Sequence, residues 1–371
     1  MKLSEVYTPA VLLDLDILER NTGRFAAEAA AHGKQLWPML KTHKSLELAA
    51  LQAAAGATGF LCGTLDEVEA LAEAGYRDLM YAYPAADPLS VARLIRAAKR
   101  CELILRIDGP EAAAALNEAA REAGIRLSYT IIIDAGLHRF GVPPEKAGAF
   151  ARSLRQFESL RFRGLSTHPG HVYAAGAAEE LPRYCEEERA AVRTAVGSLR
   201  AAGFAPEIVS SGSTPTFRGT VGDGLLNLYH PGNYVFMDAI QLSTGTAREE
   251  DCALTILASV ISHPREDLFL CDAGAKCLGL DQGAHGNSSI RGYGVVIGHP
   301  EITVAGLSEE VGKLHAEGRT DLKVGDRIRI IPNHACSSAN LTSYYVGHRG
   351  DEVDHLIAVD IRGNGTKKNV E

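Results

Sequence analysis

The chain reads as an α/β protein with two parts: an N-terminal (β/α)8 TIM-like barrel over residues 1–245 and a β-rich C-terminal domain over 246–371. Three observations predict this. Short apolar runs alternate with Ala-rich amphipathic runs over the first 245 residues or so, the pattern of parallel βα units. Eight or nine such units, at about 20 to 45 residues apiece, match a (β/α)8 barrel. After residue 245 the Ala-rich helices stop, and β-branched or alternating runs follow, separated by Gly, Asn and Asp turns. A doubly wound open sheet is the alternative. It is weakened because no Gly-x-Gly-x-x-Gly follows the first strand.

The expected strands of the first part are Val11–Leu15, Gln35–Leu40, Gly59–Cys62, Leu79–Ala82, Glu102–Ile107, Leu127–Ile133, Arg161–Ser166, Pro206–Ser210 and Leu225–Tyr229. Asp16 with Glu19 opens a helix as a capping box, and Gly33 closes it. Thr64 with Glu67 opens another. Glu111 to Ala123 ends at Gly124, and Glu179 to Ala202 ends at Gly203. In the second part the runs Leu254–Ile261, Leu268–Cys271, Tyr293–Ile297, Ile302–Val304, Arg327–Ile331 and Val353–Asp360 read as strands.

Composition narrows the class. The 371 residues are 46% hydrophobic and 23% charged, an ordinary globular balance. A net charge of -8 and a pI near 5.9 argue against nucleic acid or an anionic membrane as partner. No run approaches the roughly 18 apolar residues of a membrane span. Cysteines at 62, 101, 185, 252, 271, 277 and 336 are odd in number and dispersed, which fits a reducing, cytoplasmic compartment better than a disulfide framework.

The chemistry-bearing residues fall where barrel strands end, the face on which such barrels place their active sites. Lys41 ends the second expected strand. Asp134 to Gly141, with His138 and Arg139, follows the sixth. Thr167-His168-Pro169-Gly170-His171 follows the seventh, and Ser210 to Pro215 the eighth. Ser211, Gly212, Ser213 and Thr214 are small enough for backbone N–H groups to converge on a phosphate; Tyr229 to Tyr234, with Gly232 and Asn233, can add donors. A Ser/Gly/Thr cluster is also an ordinary turn. A lysine at a barrel mouth can attack an aldehyde, and a phosphate-bearing aldehyde cofactor is pyridoxal phosphate. Arg139 could then serve the pyridine nitrogen, or pair with Asp134. His334 and Cys336, two residues apart after a strand-like run, share one face in extended chain and could hold one ion with open positions left.

These motifs resemble one family over nearly the whole chain. They are Lys41-Thr42-His43-Lys44, Asp134-x-Gly136-x-x-Arg139-x-Gly141, Ser211-Gly212-Ser213-Thr214-Pro215, Pro231 to Asp238, Asp272-Ala273-Gly274-x-Lys276 and His334-x-Cys336. The chain is similar to the fold-type III pyridoxal phosphate enzymes with the alanine-racemase-like barrel, in the D-serine dehydratase and D-threonine aldolase group. The resemblance implies that Lys41 carries the cofactor and Arg139 faces its ring nitrogen. It implies that Ser211 to Thr214 with Gly232 and Asn233 cup the phosphate, and that His334 and Cys336 hold a divalent metal. It also implies a homodimer whose β-domain covers the partner's barrel mouth. Two departures stand out. Trp37-Pro38-Met39 replaces an Arg-Pro-His run, and Thr167-His168-Pro169-Gly170-His171 replaces a Tyr-His-Gly loop.

The expected function is a pyridoxal phosphate- and metal-dependent lyase acting on D-β-hydroxy amino acids such as D-serine or D-threonine. A thiolate at position 336 favours zinc over manganese or magnesium, and in the resembling family a cysteine here leans towards dehydratases. The rival is retro-aldol cleavage, with His168 or His171 as base. A racemase would need a second base opposite Lys41. A non-catalytic cofactor carrier would resemble the barrel alone. His43 and Lys44 are expected to place the strand end and Trp37 to be core. Asp272 and Lys276 are expected to support the metal loop or the dimer contact or, equally, to form an ion pair. Tyr173 and Tyr184 could line the substrate cavity, although packing is the commoner role of such tyrosines.

Overall fold

The computed structural model describes residues 1–283 and 287–363. Eight parallel strands form one sheet: Gln35–Leu36, Phe60–Cys62, Asp78–Tyr81, Glu102–Ile107, Leu127–Ile133, Leu160–Thr167, Ile208–Ser211 and Leu228–Tyr229. Neighbours pair in chain order, and the last returns to pair with the first. The remaining seam, between the first and second strands, is bridged by Met39 against Leu61. The sheet is thereby the (β/α)8 barrel that the alternation predicts.

Side-chain alternation divides the apolar residues into two cores. Trp37, Leu61, Met80, Ile104, Ile208 and Leu228 fill the barrel interior. Their strand neighbours, such as Phe60, Cys62, Leu79 and Leu105, face outward to the helices. Trp37 is core, as expected. Its ring leaves no room for a side chain at position 59, where a Cβ would lie 2.6 Å from the indole.

Local signals set several helix ends. Thr64 caps Leu65–Glu73 by accepting from the Glu67 N–H at 3.3 Å. Gly124 and Gly203 follow the helices Pro110–Glu122 and Leu181–Ala201 with φ of +65° and +80°. One cap differs. The helix Leu15–Ala31 is capped by Asp14, which accepts from Ile17 N–H at 3.0 Å, and Asp16 lies inside the first turn, where it pairs with Arg349.

The expected first strand, seen at Ala10–Asp14, is not a barrel strand. It pairs antiparallel with Leu254–Arg265 and parallel with Tyr344–Arg349 in a second, nine-stranded sheet. An apolar run buried on both faces reads alike in either sheet, and its partners lie more than 240 residues away. Six strands of the second sheet close a ring in the order Leu254–Arg265, Leu268–Cys271, Gly312–Ala316, Ile302–Leu307, Gly294–Val296 and Arg327–Pro332. Their pairings are antiparallel. The strands Gly312–Ala316 and Tyr344–Arg349 carry charged or polar residues, and sequence pattern misses them. Among the described residues, no helix is long and apolar enough to cross a membrane.

Candidate active site

Lys41 sits on the 3-10 turn Leu40–Thr42, not at the end of a long strand. The first barrel strand is only Gln35–Leu36, because Pro38 has no N–H to continue a ladder. Leu40 is fully buried and anchors the turn, and Asn340 Nδ2 donates to the Lys41 carbonyl at 3.5 Å. His43 is structural, as expected. Its Nδ1 accepts from Ser45 N–H at 3.2 Å, its Nε2 faces Gln52 Oε1 at 3.1 Å, and burial pushes its pKa down to about 4. Lys44 adopts φ of +51° and forms a buried ion pair with Glu67.

Lys41 opens onto a cavity of about 610 Å³. Nine of the residues expected to hold cofactor or metal or to move a proton line it: Lys41, Arg139, His168, Gly212, Ser213, Gly232, Asn233, His334 and Cys336. Three of those expected to bind the cofactor do not. The Tyr229 ring is fully buried, and its hydroxyl donates to the Thr220 carbonyl at 2.5 Å, so it serves the core. Ser211 lies beneath the loop, and Thr214 borders a second cavity of about 320 Å³. Both hydroxyls are buried without a protein partner.

The loop after the seventh barrel strand approaches the loop after the eighth closely because glycines stand at the contact. A Cβ on Gly212 would lie 2.6 Å from the His230 backbone, and one on Gly232 would lie 2.6 Å from Thr42 Oγ1. Beyond Gly232, Asn233 Nδ2 donates to Asp238. Asp238, fully buried, also accepts from Gln241 N–H at 3.0 Å and from Ala335 N–H at 2.9 Å. One carboxylate thus couples the barrel loop to the His334–Cys336 turn.

His168 is placed at the cavity but is not poised as a base. Its Nδ1–H donates to the Gly212 carbonyl at 2.6 Å, and burial, reinforced by Lys41, pushes its pKa down to about 3. It therefore holds the Gly212 loop. His171 faces Glu187 on the helix behind, at 3.1 Å, and does not line the cavity. Asp134 takes its partners from its own loop, the N–H groups of Gly136 and His138 and the His138 ring, so Arg139 is not its salt-bridge partner. The Arg139 guanidinium lies over the Phe140 ring at 4.5 Å. Tyr173 lines the cavity, whereas Tyr184 packs with Val172 and Ala175. Asp272 accepts from Thr8 and Ser259, and Lys276 pairs with Glu310, so the two do not form the expected ion pair.

Sequence reading missed two cavity groups. Arg106 is 3% exposed on the fourth barrel strand; its Nε donates to Ser166 Oγ at 2.7 Å, but its Nη2 has no partner. Burial lowers its pKa to about 10. His230 is also buried, with an unpartnered Nε2. Inward placement on a strand was the only sequence signal for Arg106. Unpartnered nitrogens on the wall, unpartnered hydroxyls at the loop and glycine-shaped clearance together fit a polar ring bearing a phosphate.

His334 and Cys336 come together by a different route from the one expected. His334 is extended, with φ of -131° and ψ of 99°, and caps a helical turn, Ala335–Ala339, that contains Cys336. Burial opposes charge on both. Even so, the neighbouring Cys336 and Asp281 hold His334 well above its usual pKa, and His334 holds Cys336 below its own. Asp281 Oδ1 lies 3.4 Å from His334 Nδ1, and Cys336 Sγ lies 3.5 Å from Thr42 Oγ1. An imidazole and a thiolate are the donor set of a soft divalent metal site with positions left open.

Comparison with known proteins shows the family. Residues 13–239 match the model of the alanine racemase N-terminal domain, and residues 253–348 match that of a putative serine dehydratase domain. D-threo-3-hydroxyaspartate dehydratase of Delftia sp. is 36% identical over 349 residues, 89% of this chain and 91% of that one. 3-Hydroxy-D-aspartate aldolase of Paracoccus denitrificans is 32% identical over 375 residues, covering 98% and 94%. The crystal structure of D-threonine aldolase from Filomicrobium marinum superposes with a TM-score of 0.88 at 28% identity, covering 98% of each chain. The Delftia dehydratase was also solved as alanine variants of a histidine and of a cysteine two positions later, and the cysteine variant is described as a metal-free form. The chain belongs to the lyase family of D-serine dehydratase and D-threonine aldolase type, in which an alanine-racemase-type barrel is joined to a serine dehydratase domain.

Proposed function

We propose that the protein is a pyridoxal phosphate- and metal-dependent dehydratase of D-β-hydroxy amino acids, releasing a 2-oxo acid and ammonia. The observation that carries this reading is that Lys41 and the His334–Cys336 pair open onto one cavity. When bound, pyridoxal phosphate supplies an electron sink for charge at Cα, and the metal supplies a Lewis acid for a hydroxyl.

The chain's own residues do the rest. Lys41 would carry the cofactor and move the Cα proton. The Ser211–Thr214 loop with Gly232 and Asn233 would bind the phosphate. Arg139 would face the ring nitrogen, and Arg106 and His230, which line the same cavity, offer unpartnered nitrogens to the ring or to a substrate carboxylate. His334 and Cys336 would hold the metal, zinc by the softness of the thiolate, with Asp281 orienting the imidazole. The histidine and cysteine varied in the Delftia enzyme have the same spacing. A homodimer is the assembly that the resemblance implies, and light scattering checks it.

Retro-aldol cleavage is the second reading, favoured by the aldolase relatives. It needs a base for the β-hydroxyl proton. Neither His168, whose lowered pKa makes it a weak base and whose Nδ1–H is bonded to Gly212, nor His171, outside the cavity, supplies one. Incubation of the loaded protein with D-threonine separates the readings. The dehydratase gives 2-oxobutyrate and ammonia; glycine and acetaldehyde would overturn it in favour of the aldolase.

A further inference from the structure

The helix Leu181–Ala201 buries a carboxyl group that the reaction above does not use. Glu188 is fully buried, and neither of its oxygens has a hydrogen-bond partner. The groups that face it are the hydroxyls of Ser211 and Thr216, Arg189 on its own helix, and Asp223. Tyr229 of the last barrel strand and Cys185 of its own helix also feel its charge. None of these neutralises it. Arg189 donates instead to Glu186 at 3.0 Å and to the Gly219 carbonyl at 2.7 Å. Asp223 accepts from the Leu225 N–H at 2.7 Å and adds like charge. Ionising a carboxyl in such a place is strongly disfavoured, and burial pushes its pKa up to about 7.

This carboxyl stands behind the loop that shapes the anion site. Ser211 ends the seventh barrel strand, and its hydroxyl, which faces Glu188, has no hydrogen-bond partner. Thr216 Oγ1 shares a hydrogen bond with Ser213 Oγ at 2.9 Å. Gly212 and Ser213 line the barrel-mouth cavity, and Glu188 does not.

We propose that Glu188 is a positioning residue for the phosphate loop that works only while protonated. Neutral, it supports Ser211 and Thr216 from behind. Ionised, its proton lost to solvent, it sets a negative charge beside the anion that the loop holds. The inference rests on the reading of Ser211–Thr214 as the phosphate loop.

The test is cofactor release from the holoprotein into a trap for free pyridoxal phosphate, followed by absorbance from about pH 6 to pH 9. Other groups titrate over this range, so the wild-type protein is compared with Glu188→Gln, which stays uncharged. Release from the wild type should quicken by about tenfold more than release from the variant as pH rises, and the two should match at the acid end. Superimposable profiles overturn the proposal. If Glu188→Gln does not fold, Glu188→Leu, also uncharged, takes its place. A wild-type rate that does not quicken overturns the proposal without any variant. Inorganic phosphate should compete with cofactor rebinding. Failure to compete, with cofactor still bound, overturns the phosphate-loop reading itself and is distinct from failure at Glu188.

Discussion

Lys44 and Glu67 form an ion pair beside Lys41, at the edge of the cavity that both lysines line. The Glu67 side chain is 0% exposed and that of Lys44 11%. The second Glu67 oxygen accepts from the Gly63 N–H at 2.6 Å, and a Cβ on Gly63 would lie 3.0 Å from that of Lys41. The pair therefore fixes the second barrel strand's end against the turn that carries Lys41. Removing one partner leaves the other charge buried. Glu67→Gln should cost about 3–5 kcal/mol in urea unfolding, and Glu67→Gln with Lys44→Met should recover part of that loss. A simple sum of the two single effects would show that the pair does not act as a unit.

Gly212 and Gly232 are required for clearance. Gly212→Ala or Gly232→Ala drives a methyl group against the His230 backbone or the Thr42 hydroxyl. Each should weaken pyridoxal phosphate binding by about tenfold or more, measured by absorbance titration, while circular dichroism keeps the barrel signature. Unchanged affinity would remove these loops from the anion site.

His334→Ala and Cys336→Ser should each lower bound metal, measured by elemental analysis, and abolish turnover while the cofactor absorbance remains. A chelator should do the same to the wild-type protein, with activity restored by a divalent metal. Full turnover in metal-free protein would refute a role for the pair.

Glu188 also makes a stability prediction. Its folded pKa, about 7, lies above the ordinary glutamate value of 4.5. The folded state therefore binds the extra proton between those values. The stabilisation is fully present below about pH 4.5 and is lost as pH rises through about 7. Glu188→Gln should melt progressively higher than the wild type as pH rises across that window. A constant gap in Tm would contradict a buried neutral carboxyl.

Much of the site is written locally, because turns and strand ends obey short-range rules. Lys41 after an apolar run, the small-residue loop at Ser211–Thr214 and the His334–Cys336 spacing are all visible in a few residues each. So is the βα alternation that specifies a barrel. What tertiary structure decided is which of these groups meet and in what state. Ala10–Asp14 reads as a barrel strand but joins the second sheet, because a strand's partners are chosen by contacts far along the chain. Tyr229 is drawn into the core by Thr220, and His168 is bound to Gly212 and kept neutral by burial. Arg106, His230 and Glu188 carry no motif; only the closed barrel removes them from water and leaves their polar atoms without partners. Sequence fixes the identity of a titratable group, whereas its charge depends on desolvation and neighbours that exist only once the chain has folded.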